Sequence, residues 1–161
     1  MIKHRDFPIV ILIAEDDEDD RLLIKEAFVE SELPVSLYFV GDGEVLMDYL
    51  HHRGGYCEVS QSPRPDMILL DLNMPKKDGR QALAEIKSDP ELRHIPIVIL
   101  TTSKESKDIL RSYDLGANSF ITKPVTFGGL VELMKSFGHY WFEMVELPLQ
   151  MREPEMGKHR L

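Results

Sequence analysis

Five short apolar runs constrain this chain more than any other feature. They lie at 8–14, 35–40, 66–71, 95–101 and 118–122. Each has strand length, is bounded by turn residues and is apolar nearly throughout, without polar alternation. A strand apolar on both sides needs both faces of its sheet covered, as in a parallel sheet. The segments between them carry helical spacing, at 18–30, 44–53, 79–88, 104–115 and 127–147. Pro34 stops the first helix and Asp89-Pro90 the third. Gly116 stands where a glycine is expected just past a helix end. Thr126 is placed to cap the last helix. Leu22, Leu23, Ala27 and Phe28 are expected to face inward from the first helix, and Val45, Leu46, Tyr49 and Leu50 from the second. Five strands alternating with five helices through right-handed crossovers make an α/β, doubly wound, open parallel sheet.

In such sheets ligands gather at the carboxyl ends of the strands. Glu15, Asp16 and Asp17 follow the first run, Asp71 closes the third, Thr101 closes the fourth and Lys123 follows the fifth. A carboxylate at the end of a buried strand is costly without partners. Glu15, Asp16 and Asp71, with a backbone carbonyl near Asn73, offer the hard oxygen ligands that suit magnesium. A carboxylate is also a nucleophile that can form an aspartyl-phosphate. Lys123 would place an ammonium on one phosphoryl oxygen and Thr101 a hydroxyl on another, so that positioning and electrostatics carry the step. Asp19 and Asp20 read only as acids favouring a helix N-terminus.

With 161 residues, the chain fits one domain over 1–147 and a polar tail over 148–161, expected to be disordered and too short for a DNA-binding output domain. The single Cys57 allows no intramolecular disulfide and points to a reducing cytoplasm. There is no signal pattern, and no run approaches the roughly 20 apolar residues that cross a bilayer. A net charge of −9 argues against nucleic-acid binding. His51 and His52, being adjacent, do not share a helix face; they read as solvent-exposed and not as a metal site.

Four stretches together are highly specific. They are Ala14-Glu15-Asp16-Asp17, Leu69-Leu70-Asp71-Leu72-Asn73-Met74-Pro75-Lys76-Lys77-Asp78-Gly79, Ile99-Leu100-Thr101-Thr102-Ser103 and Phe120-Ile121-Thr122-Lys123-Pro124. Over residues 8–140 the chain resembles response-regulator receiver domains of two-component signalling. The long loop before Asp66, the stretch from Leu70 to Gly79 and the Trp141-containing last helix look closest to single-domain response regulators of cyanobacterial phytochromes. The resemblance implies a flavodoxin-like sheet of order 2-1-3-4-5. It implies Asp71 as phosphoacceptor, and Asp16, Glu15, Asp71 and the Asn73 carbonyl as ligands of Mg2+ or Mn2+. Thr101 and Lys123 become the phosphoryl-binding pair. Phe120 stands at the switch aromatic, with no hydroxyl, so switching must come from ring burial. The Lys123-Pro124 bond is expected to be cis. The implied partner is a histidine kinase of the cyanobacterial phytochrome type, and the implied activity is a switch and not turnover.

The last helix carries Leu130, Leu133, Met134, Phe137, Trp141 and Val145 on one stripe, with Phe127, Tyr140, Phe142 and Met144 beyond it. That surplus apolar surface, with the resemblance, points to a homodimer through this helix. Two other functions compete. One is a relay intermediate passing the phosphoryl group to a histidine phosphotransfer protein. The other is an aspartate-nucleophile phosphohydrolase of the haloacid dehalogenase type. The latter places an acid two residues after its nucleophile, where this chain has Asn73.

Overall fold

The computed structural model describes residues 8–148. The strands are β1 (Ile9–Ala14), β2 (Val35–Val40), β3 (Met67–Leu70), β4 (Ile97–Thr101) and β5 (Ser119–Thr122). The helices are α1 (Glu18–Glu30), α2 (Gly43–Leu50), α3 (Gly79–Ser88), α4 (Ser106–Asp114) and α5 (Phe127–Gly138). All strand pairs are parallel, in the order β2-β1-β3-β4-β5. Successive residues of each inner strand point to opposite faces. Leu12, Ile68, Leu70, Ile97 and Ile99 pack with α2 and α3, whereas Ile11, Ile13, Met67, Leu69, Val98 and Leu100 pack with α1 and α5. Both faces are thus covered, which is why the runs are continuously apolar.

Local chemistry sets the helix ends. Asp17, Asp42 and Thr126 each accept a backbone N–H of the first turn, and Asp78 forms a reciprocal capping box with Gln81. Gly116 takes φ 107°, a left-handed conformation suited to glycine.

Three expectations need correction. In α1 the inward stripe is Ile24, Ala27 and Phe28, while Leu22 and Leu23 are exposed. The contact stripe follows i, i+3, i+4 spacing, and Phe28 fixes it by meeting the Phe137 ring edge-on at 6.2 Å. The last helix does not run on uniformly. Past Gly138 it continues as a π-helical segment, His139–Met144, with Val145 N donating to Tyr140 O. The wider turn brings the consecutive residues Trp141 and Phe142 both inward, so Phe142 is buried and adds nothing to the outer surface. A Cβ on Gly138 would fall 2.3 Å from Leu33 Cδ2, so any larger residue here would push the Leu33 side chain aside. Third, His51 is exposed as expected, but His52 is half-buried. His51 Nε2 lies 3.7 Å from Asp89 Oδ2, and His52 Nε2 lies 3.1 Å from Ser62 O, tying the α2–β3 loop to the end of α2. Cys57 is exposed and free, as expected. The expected tail, apart from Pro148, lies outside the described residues. Among those residues no helix is long and apolar enough to cross a membrane.

Candidate phosphoryl and metal site

The sheet delivers the chemistry-bearing residues to one edge through main-chain bonds. Asp71 N donates to Ala14 O at 3.1 Å, and Lys123 N donates to Thr101 O at 2.8 Å. The strand ends β1, β3, β4 and β5 are therefore locked side by side where their polar residues begin. Behind Asp71 the chain turns sharply. Gly79 N donates to Leu72 O at 2.9 Å, and a Cβ on Gly79 would fall 2.2 Å from Asp71 O. Only glycine lets the start of α3 pass so near the Asp71 carbonyl. The β3–α3 loop also holds Lys76 at φ 61°, and Lys77 O accepts from Gly43 N at 2.8 Å, docking the loop on α2.

Asp71 is nearly buried, and both of its carboxylate oxygens are engaged. Oδ1 accepts from Thr101 Oγ1 at 2.8 Å and from Asn73 N at 3.1 Å. Oδ2 accepts from Lys123 Nζ at 3.1 Å. The same ammonium donates to Glu15 Oε1 and, at 3.0 Å, to Asp20 Oδ2. Its three donors thus serve three carboxylates. Burial alone would push the Lys123 ammonium down. The Glu15 hydrogen bond and the charges of Asp71 and Glu15, with the Asp20 bond, outweigh burial and hold it above the usual lysine range. Burial pushes the Glu15 carboxyl up, to about 7, against the pull of Lys123 and with the help of the Asp71 charge.

Glu15, Asp16 and Asp71 each offer an oxygen within 4.8 Å of the others. Glu15, Asp20 and Asp71 surround one ammonium and Asp16 lies beside them, so the site carries surplus negative charge. Hard oxygens, an open side at the exposed Asp16 and that surplus fit a divalent cation such as Mg2+ or Mn2+.

The structure therefore brings Glu15, Asp16, Asp71, Thr101 and Lys123 together. Asn73 contributes its amide to Asp71. Phe120 stays outside this cluster. It pairs in register with Ile99, is half-buried, and its amide donates to Tyr113 Oη at 3.2 Å. The Lys123-Pro124 bond is trans, since no peptide bond among the described residues is cis. The resemblance-based expectation of a cis bond is thus overturned, and the bond keeps the ordinary trans preference of X–Pro.

Sequence reasoning missed two features. Asp20 is more than a helix-start acid. In the first turn of α1, with its amide accepted by the Asp17 cap, it reaches Lys123. A polar cluster beside the site, Arg80, Ser103 and Asp108, was also not singled out. Arg80 Nε and Nη2 donate to Asp108 Oδ1 and Oδ2, both at 2.8 Å, and Ser103 Oγ donates to Asp108 Oδ2 at 2.7 Å.

Comparison with known proteins agrees with this geometry. Residues 11–135 match the response regulator receiver domain family. Response regulator Rcp1 of Synechocystis sp. is 43% identical over 141 residues, 88% of this chain and 94% of that protein. The crystal structure of the phosphorylated cyanobacterial phytochrome response regulator RcpA superposes with a TM-score of 0.81 at 44% identity, covering 88% of this chain and 99% of that one. The Mn(2+)-bound form of Rcp1 gives a TM-score of 0.79 at 42% identity, covering 88% and 100%. The chain belongs to the response regulator receiver-domain family and is related to the cyanobacterial phytochrome response regulators.

Proposed function

We propose that this protein is a phosphorylation switch whose phosphoacceptor is Asp71. Members of the family act as signalling switches and not as turnover enzymes. The observation that carries the reading is the convergence of Lys123 Nζ and Thr101 Oγ1 on the two oxygens of Asp71, at 3.1 and 2.8 Å. An Asp71 carboxylate oxygen attacks the phosphorus of a phosphohistidine on a histidine kinase. A P–O bond forms as the P–N bond breaks, and the imidazole leaves with the electron pair. Lys123 and Thr101 then turn from the carboxylate to the phosphoryl oxygens. Glu15, Asp16, Asp71 and the Asn73 carbonyl would hold a divalent cation, which would supply charge neutralisation. The asparagine at position 73, two residues past the nucleophile, leaves no general acid there and disfavours a phosphohydrolase.

The kinship to phytochrome response regulators supports a phytochrome-type kinase as the donor. Phosphorylation adds charge and acceptor oxygens at one point. Thr101 moving toward them leaves room for the Phe120 ring to turn inward, changing the surface of α4, β5 and α5. Phe127, Tyr140 and Met144 on the last helix, with Leu110 and Tyr113 on α4, leave exposed apolar surface for a homodimer. Residues 1–147 make up the receiver domain in this reading.

Incubation with acetyl phosphate and Mg2+ followed by intact mass tests the site. One added phosphoryl mass is expected, absent in Asp71→Asn. An unmodified wild-type chain, or an equally modified Asp71→Asn, overturns the reading. A monomer by light scattering at high concentration, phosphorylated or not, overturns the dimer.

A further inference from the structure

We infer that Arg80 and Asp108 form a latch, closed through Ser103, that holds Thr101 in its unphosphorylated place and opposes phosphoryl binding and activation. The inference rests on the reading of Asp71 as phosphoacceptor. The latch joins two loops that both begin at the site. Arg80 follows Gly79, whose amide is bonded to Leu72 O next to Asp71. Ser103 lies two residues past Thr101, and its amide reaches Thr101 Oγ1 at 3.5 Å. Asp108 sits between them. It takes the planar fork of Arg80 on both oxygens and the Ser103 hydroxyl on one. Such bidentate, charge-assisted bonds are the strong and geometrically specific ones. Arg80 is further oriented by Asp78, 3.7 Å away at the α3 cap. The Arg80 and Ser103 hydrogen bonds hold the Asp108 carboxyl low, at about 2, so the latch stays charged at any physiological pH.

The burial pattern of α4 shows why a polar latch matters. Its buried residues are Asp108 and Ser112, whereas α1, α2, α3 and α5 bury apolar side chains. A helix with little apolar anchorage is held cheaply and is easily released. Near its other end Tyr113 Oη accepts from the Phe120 amide. A phosphoryl group on Asp71 puts its oxygens farther from the sheet than the carboxylate oxygens they replace. Thr101 must follow them to keep donating, and residue 103 is drawn along the chain. Asp108, pinned by Arg80 on α3, does not follow. The Ser103 bond then breaks, and α4 loses the tie between its first turn and the β4–α4 loop.

The latch is tested by titrating the protein with beryllium trifluoride, a phosphoryl analogue, in the presence of Mg2+, for wild type, Arg80→Gln, Ser103→Ala and the double variant. Each single change is expected to tighten binding about fivefold or more, the range typical of coupled equilibria. The double variant should gain no more than the stronger single, because both act through one latch. Affinity for Mg2+ alone should stay unchanged. Damage to the site would weaken analogue binding, so the sign separates the latch from mere structural loss. Ser103→Ala leaves the Arg80–Asp108 pair intact and keeps the test valid if Arg80→Gln does not fold. Unchanged or weaker analogue binding in a folded single variant, or additive gains in the double, overturns the latch. A wild-type protein that neither binds the analogue nor takes up phosphoryl from acetyl phosphate overturns the phosphoacceptor reading itself.

Discussion

Lys123 and Asp20 stand 103 residues apart in the chain, yet Lys123 Nζ donates to Asp20 Oδ2 at 3.0 Å. The contact completes a ring of acids around one ammonium, with Glu15 and Asp71 as its other members. Replacing the amine leaves those carboxylates repelling one another in a largely buried setting. Lys123→Ala is expected to cost about 3 kcal/mol of folding stability in metal-free buffer, as for one partner removed from a buried pair. Added Mg2+ should restore a substantial part of it. Urea unfolding with and without Mg2+ checks this, and midpoints that do not respond to the ion would contradict it.

Divalent affinity should depend on pH through Glu15. Its carboxyl is raised to about 7, first by burial, so in the absence of metal it holds a proton below that pH. A ligating carboxylate must be ionised, so metal binding releases this proton. Mg2+ affinity should rise by up to about tenfold per pH unit below 7 and level off above it. The stability sign follows. The folded state binds the proton more tightly than the unfolded chain, whose value is near 4.5. Metal-free stability therefore falls as pH climbs from about 4.5 through 7, and saturating Mg2+ removes that decline. Calorimetric titration in two buffers of different ionisation heat measures the proton count.

Gly79→Ala should damage the fold and the site together. Its Cβ would meet the Asp71 carbonyl at 2.2 Å, a backbone atom that cannot swing aside. Overpacking of this kind costs about 1–3 kcal/mol. Any protein that still folds should take up phosphoryl from acetyl phosphate more slowly, because Asp71 itself must shift. Wild-type uptake in a folded variant would show that the close approach does not position the carboxylate.

Phe142→Ala is expected to cost about 3–5 kcal/mol, as for a buried aromatic, whereas Tyr140→Ala should stay within about 0.5 kcal/mol, as for an exposed position. A uniform α-helix through residue 147 would place Phe142 outside and reverse the first expectation. Thermal and urea unfolding of the two variants decides between the geometries.

The five-stranded fold was legible because both-face burial leaves an apolar run that needs no context. The site was legible because each of its residues sits where such a run stops. The inward face of α1 was not, since Leu22 and Leu23 are as apolar as Ile24 and only the contact with α5 selects among them. Asp20 was hidden because an acid in a first turn suits the helix dipole whether or not an amine waits opposite. Arg80 and Asp108 lie 28 positions apart, and no local pattern ties a surface-type arginine to an acid on another helix. The π segment was hidden because a one-residue change of turn leaves composition untouched.

That segment has a consequence for recognition. Along Phe127–Gly138 the outward side chains recur with the ordinary α repeat, but from His139 the angular step changes. A partner helix that meshes with the first stretch by ridges and grooves cannot keep the same mesh across Gly138. The outer surface of the last helix is thus two short combs with different tooth spacing. A helical partner docking on this surface would have to choose one comb, or bend to follow both.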